Sequence, residues 1–321
     1  MVSSVPLHGL SPAESPVAVP DLSLQTGPEP DWVAEGLALP GRVVSHRPGL
    51  EDFAEPAFVL TEHGNAHCYE LSYSDGTRFV VDAASKRVWG AYRPPLTLAD
   101  FETYFLGPVM GFLLRKRQVM ALHASCVKIA GQAFAISGDA GQGKSTTAAA
   151  LALRGYSVLC EDITATEEIG ATIRAIPGYP RVCLWPDSVE MLLGAPDALP
   201  ALTPVWEKRY LPLDGQRASF WPENLALGGV YLFAARADGD SAPRVEALRP
   251  REALLLLVQN TYMNWLLTRE QRAAEFDALA RLVQRVPIRR LVPHADPKRL
   301  GDLCELLARD AEQLAARGAN P

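Results

Sequence analysis

Residues 138 to 145 read Gly-Asp-Ala-Gly-Gln-Gly-Lys-Ser, a complete G-x-x-x-x-G-K-S pattern. Its chemistry is the binding of a nucleoside triphosphate. Gly138, Gly141 and Gly143 let consecutive backbone N–H groups turn inward around a β-phosphate, and a helix starting just after them adds partial positive charge. Lys144 can reach the β and γ oxygens, Ser145 is a ligand for Mg²⁺, and Asp139, Ala140, Gln142 and Thr146 complete the cradle. The setting is the one such a loop requires. Ala133-Phe134-Ala135-Ile136 reads as a short apolar strand before it, and Thr146 to Arg154 as an Ala- and Leu-rich helix that stops at Gly155.

Beyond that helix, the apolar run Ser157-Val158-Leu159-Cys160 closes on Glu161-Asp162. Two carboxylates at a strand end beside a phosphate loop suit Mg²⁺ coordination and the activation of an acceptor hydroxyl. His123 stands fifteen residues before Gly138, at the head of the preceding strand; its spacing alone fits a packing residue as well as a site residue. Arg181, Lys208 and Arg209 are candidates to clamp a phosphate or a peptide carboxylate, because a charged donor fork suits both, and surface charge is their alternative reading. Trp185, Trp206, Tyr210 and Trp221 could line a peptide groove or pack in a core. No base-reading motif separates adenine from guanine.

The elements that must position these residues form an α/β pattern. Short apolar strands are expected at 126–129, 133–136, 157–160, 171–176 and 229–233, with helices over 97–118, 251–269 and 297–317. Thr97 is the expected N-cap of the first of these, whose apolar face carries Phe101, Tyr104, Phe105, Val109, Phe112 and Leu113. Alternating runs between Phe58 and Trp89, broken by Asp75-Gly76, read as hairpins. Residues 1–40, with seven prolines, read as a loosely ordered arm, 41–118 as an N-terminal α+β region and 119–321 as the nucleotide domain.

The chain has 321 residues, 48% of them hydrophobic, enough for a sizeable core. A formal net charge of −6 without a long basic run argues against a general nucleic-acid binder. Cys68, Cys126, Cys160, Cys183 and Cys304 show no metal spacing and read as reduced thiols. The first thirty residues lack a signal-peptide pattern, and the longest aliphatic run, Ala253 to Val258, is too short to span a bilayer. The expectation is a cytoplasmic enzyme with neither a membrane nor a nucleic-acid partner.

The block from Leu122 to Thr166 resembles the catalytic core of the HPr serine kinase/phosphorylase family: a histidine opening a strand pair, the phosphate loop, then Arg154-Gly155 leading to a strand that closes on two acids. The family has Asp-Asp where this chain has Glu161-Asp162. The resemblance implies a P-loop core of the phosphoenolpyruvate-carboxykinase-like type with an N-terminal α+β elaboration, and ATP and Mg²⁺ as cofactors. It makes Glu161 the base on a serine hydroxyl, Asp162 the Mg²⁺-linked acid and His123 a neighbour of the transferred phosphate, with the order within the acidic pair open. The Glu-x-Arg-Gly signature of the HPr-recognising enzymes is absent. In its place, Pro177-Gly178-Tyr179-Pro180-Arg181 and Leu184-Trp185-Pro186-Asp187-Ser188, together with Leu106-Gly107-Pro108 and Gly111-Phe112-Leu113-Leu114, are similar to HPr-kinase-like proteins of lasso-peptide gene clusters. That likeness implies phosphorylation of a ribosomally made precursor peptide on its C-terminal serine. Relatives of the HPr type form hexamers, so a homo-oligomer is compatible with it. Two rival readings stand beside this one: a kinase for an HPr-like protein or a small hydroxyl metabolite, and a nucleotide-gated interaction module.

Overall fold

A computed structural model describes residues 1–8, 10, 19–47, 57–239 and 241–318. The chain divides into two compact units, residues 1–117 with 203–206, and residues 118–202 with 207–321. Both mix helices and sheets.

In the first unit the described residues form a seven-stranded sheet. Its strands are β1 (Val2–Ser3), β2 (Ser23–Thr26), β3 (Gly41–Arg47), β4 (Phe58–His63), β5 (Cys68–Tyr73), β6 (Arg78–Asp82) and β7 (Arg87–Ala91), in the order β1-β2-β7-β6-β5-β4-β3. The hairpins follow from alternation: on β5 the burial pattern puts Leu71 and Tyr73 inside, and Asp75-Gly76 makes the turn into β6. The N-terminal forty residues depart from a loose arm. They contribute β1, β2 and the helix α1 (Asp31–Leu37), because Leu22, Leu24 and Val33 are buried in this unit. Pro12 and Pro16 lie outside the described residues. The helix expected over 97–118 runs as α2 (Leu98–Tyr104), a π turn (Phe105–Val109) and α3 (Met110–Lys116). Thr97 and Asp100 make a capping box at its start. Pro108 has no N–H to donate, and the wider turn around it absorbs the missing bond.

The second unit carries β8 (Ala121–Ile129), β9 (Gln132–Ser137), α4 (Lys144–Ala152), β10 (Val158–Cys160), β11 (Ile163–Ile169), β12 (Thr172–Ala175), β13 (Arg181–Leu184), α5 (Pro186–Leu193), β14 (Arg209–Pro212) and β15 (Leu225–Phe233). It ends with β16 (Arg244–Ala247), α6 (Pro250–Gln259), α7 (Arg269–Arg285), β17 (Ile288–Val292) and α8 (Leu300–Gly318). Its main sheet pairs β10-β8-β9-β15-β17-β16, with β9, β15 and β17 parallel. The hairpin β11-β12 links the start of β8 to the start of β15, and β13-β14 is a separate ribbon.

Alanines 148, 149, 150 and 152 and Leu151 of α4 are buried in one core cluster with Phe134, Ile136, Tyr231, Leu303 and Leu307. Small side chains let α4 lie close to the sheet, which fixes the loop before it. The helix expected over 251–269 ends at Gln259, because Asn260 O accepts from His123 N and Thr261 pairs with Leu122, drawing this segment onto β8. No described helix is long and apolar enough to cross a membrane.

Candidate active site

The loop Gly138–Gly143 joins the end of β9 to α4, and its backbone requires glycine: φ is +155° at Gly138, +79° at Gly141 and +104° at Gly143, the N-cap of α4. Lys144 is buried beneath it, and Nζ donates to the carbonyls of Gly138 and Asp139, both at 2.9 Å. Asp139 N donates to Gln142 Oε1 at 2.9 Å, so a side-chain oxygen already occupies one amide of the loop. Burial lowers the Lys144 pKa, while the carboxylates of Asp162, Glu161 and Asp139 work in the opposite direction. Thr146 Oγ1 and Ser188 Oγ lie 2.9 Å apart, tying the first turn of α4 to α5.

Glu161 and Asp162 follow β10, beside the start of α4. Ser145 Oγ donates to Glu161 Oε1 at 2.7 Å, and Glu161 is only 7% exposed. Burial, reinforced by the neighbouring Asp162 charge, pushes the Glu161 pKa up to about 7, against hydrogen bonds from Ser145 and the Cys183 backbone and the charge of Lys208. Asp162 has φ +65°, and across it Ile163 N donates back to Glu161 O at 2.8 Å. That is a γ-turn in the left-handed region, a strained conformation for a non-glycine residue. It separates the two carboxylates: the Asp162 side chain is 40% exposed, with Oδ1 at 3.0 Å from His123 Nε2. Desolvation opposes the Asp162 charge, but the hydrogen bond and charge of His123, with Lys208 and Lys144, outweigh it and lower its pKa. His123 is itself held by its backbone bond to Asn260 and by the edge of the Tyr262 ring at 5.9 Å.

Oxygen donors from Ser145 and the two acids suit a hard cation such as Mg²⁺. Among the described residues no group of three or more His, Cys, Asp or Glu could hold a metal by itself. Such a site fits a cation that takes one or two protein carboxylates and completes its shell with phosphate oxygens and water. The hydrogen bond to Ser145 is made by Glu161 and not by Asp162: the γ-turn holds the longer acid inward and the shorter one outward.

Of the three clamp candidates, Lys208 acts on both acids and on Lys144, and its ammonium lies 4.9 Å from the centre of the half-exposed Trp185 ring. Arg181 is buried, with its guanidinium 5.0 Å from the centre of the Tyr179 ring. Arg209 pairs with Leu184 in the β13-β14 ribbon. Trp206 belongs to the first unit, where its ring meets Tyr104 edge-on at 5.7 Å. Residues without a sequence signal also border the glycine loop. Arg236, His294 and Asp296 come from two separate segments with no motif spacing.

No family model matches the chain, and no curated protein matches it. Among solved structures, the HPr(Ser) kinase/phosphatase from Coxiella burnetii is similar over 60% of this chain and 97% of that one, with 12% identity and a TM-score of 0.33.

Proposed function

We propose that the protein is a Mg²⁺- and ATP-dependent kinase whose acceptor is a serine hydroxyl of a ribosomally made precursor peptide, of the lasso type that the sequence resemblance points to. The observation that carries the kinase reading is the pairing of Ser145 with Glu161 beside an exposed Asp162 held by His123. In this reading the loop amides and Lys144 cradle the β- and γ-phosphates once Lys144 exchanges its loop carbonyls for phosphate oxygens. Mg²⁺, held by Ser145 and Glu161 with phosphate oxygens, would neutralise charge developing between the β- and γ-phosphates.

Asp162 accepts the hydrogen bond of the acceptor serine and orients its oxygen for in-line attack. The new bond joins that oxygen to the γ-phosphorus, the bond to the bridging oxygen of ADP breaks, and the serine proton passes to Asp162 and then to water. His123 fixes the Asp162 side chain, and Lys208 supplies positive charge next to the transferred group. Positioning and charge stabilisation account for most of the acceleration in such transfers. The peptide acceptor draws further support from the half-exposed Trp185 ring beside Lys208.

Intact-mass analysis tests the reading. A precursor peptide ending in serine, incubated with the protein and Mg²⁺-ATP, should gain about 80 Da, the mass of one phosphoryl group. Lys144→Ala should abolish the gain while leaving the fold intact. Transfer to HPr would reassign the acceptor, and an active Lys144→Ala variant would remove the mechanism.

A further inference from the structure

A cleft flanks the glycine loop on the side away from the acids. β9, β15 and β17 run parallel, so their carboxyl ends share one edge of the sheet, the edge where open α/β sheets bind ligands. The segments following β15 and β17 are joined to each other. Ala237 bridges His294, Ala237 N donates to Pro293 O at 3.0 Å, and Ala295 N donates to Ala237 O at 3.0 Å. With α5 and the glycine loop they wall an open cleft of about 120 Å³.

The two flanks of the loop differ in chemistry. Glu161 and Asp162 follow β10, which lies beyond β8 from β9, whereas the cleft lies over β15 and β17 on the opposite side of β9. A triphosphate in the loop with its γ end at the acids therefore extends its other end into the cleft. Phe233 and the 46% exposed Met191 give that space apolar surface. Its polar groups are fixed. Arg236 Nη1 donates to His294 O at 3.4 Å, and Arg236 Nη2 stands 3.7 Å from where a Cβ on Gly143 would lie. Asp296 N donates to His294 Nδ1 at 2.9 Å, which leaves Nε2 as the protonated nitrogen of a neutral ring. Asp296 Oδ1 accepts from Lys298 N at 2.9 Å, holding the carboxylate at the head of the short 3-10 turn Pro297–Arg299.

We propose that this cleft is the nucleoside subsite, in which Met191 packs on the base, Asp296 accepts from a ribose hydroxyl or exocyclic amine, and Arg236 bridges from the loop to the nucleoside. The assignment rests on the kinase reading, since it takes Gly138–Ser145 as the triphosphate site. It adds what no motif in the chain supplies: residues that tell a nucleotide from a bare polyphosphate.

Calorimetric titration of the full chain in Mg²⁺ with ATP, and separately with inorganic tripolyphosphate, tests it. ATP should bind at least tenfold more tightly than tripolyphosphate. Asp296→Asn, which can keep the turn-capping bond, should weaken ATP about tenfold, and the surface change Met191→Ala should weaken it several-fold. Tripolyphosphate affinity should stay within about twofold in both variants. Equal affinity for the two ligands in the wild type, or unchanged ATP affinity in both variants, would overturn the subsite alone. Failure of both ligands to bind the wild type would overturn the triphosphate site and the subsite with it.

Discussion

At the scale of single residues, the γ-turn at Asp162 turns the two adjacent carboxylates apart. Glu161 faces Ser145 and Asp162 faces His123 and solvent. If Glu161 is the metal-side acid, Glu161→Gln should raise the Mg²⁺ concentration for half-maximal transfer about tenfold or more, since an amide oxygen is a poorer ligand for a hard cation. Asp162→Asn should leave that requirement in place and lower kcat by roughly 10²- to 10⁴-fold, the usual contribution of a positioned acid or base. A Mg²⁺ titration of each variant decides the assignment, and the opposite pattern would restore the order implied by the resemblance.

The metal-free protein carries a second signature of Glu161. Its folded pKa of about 7 lies above the ordinary 4.5, so the folded state holds this proton more tightly than the unfolded chain does. The stability contributed by that proton is complete below about pH 4.5 and is lost as the pH rises through 7. In chelator, wild-type stability measured against Glu161→Gln should fall by on the order of 2 kcal/mol between those limits, read from denaturant midpoints. The acidic pair and the glycine loop were legible in the sequence because contiguous residues carry them. Their opposite orientations were not, since these depend on one backbone dihedral that no residue type announces: Asp162 is not a glycine, and nothing in the sequence marks its positive φ.

At the scale of elements, β15 shows how a strand can hide in a sequence. Its glycines 228 and 229 resemble a break, and the strand reads as starting at Gly229, yet it runs from Leu225. The register against β9 shifts between Leu227 and Gly229, and the ring of Phe134 lies across both glycines. A Cβ on Gly228 would meet Phe134 Cζ at 2.7 Å and also the Gln132 amide oxygen, while one on Gly229 would meet Phe134 Cδ1 at 3.1 Å and Leu314 Cδ1 at 3.3 Å. The glycines admit the aromatic side chain that anchors β9, and β9 carries the loop. Gly228→Ala should therefore destabilise the protein by roughly 1–3 kcal/mol, the cost of overpacking, seen as a lower urea midpoint with an unchanged slope. An unchanged midpoint would mean that Phe134 has room to move. The expected strand at 133–136 and the helix after the loop were readable from local pattern, as was the Thr97 cap. The break after Gln259 was not, because a long-range bond from β8 to Asn260 ends that helix against its own apolar periodicity.

At the scale of the molecule, every residue of the loop, the acids and the cleft belongs to the second unit, so ligand binding acts on that unit's stability. The net charge of −6 makes the local arrangement matter more than the average: Lys144 and Lys208 stand at the acids and Arg236 at the cleft, so a polyanion meets positive charge on an otherwise acidic chain. The return of 203–206 to the first unit depends on long-range packing, which composition shifts along the chain do not encode. A ligand that binds only the folded state at a hundred times its Kd adds about 2.7 kcal/mol to the unfolding free energy. Hydrogen exchange with saturating Mg²⁺-ATP should show protection of about that size in peptides from α4, β9 and β15, whose side chains build the core of their unit. Lys144→Ala should remove it. Peptides from β4 to β7 should exchange alike with and without nucleotide, because no residue assigned to phosphate, metal or nucleoside lies there. Equal protection in both units would mean that nucleotide binding couples the two cores, and would move weight from a kinase whose second unit works alone toward a module that changes state throughout when it binds nucleotide.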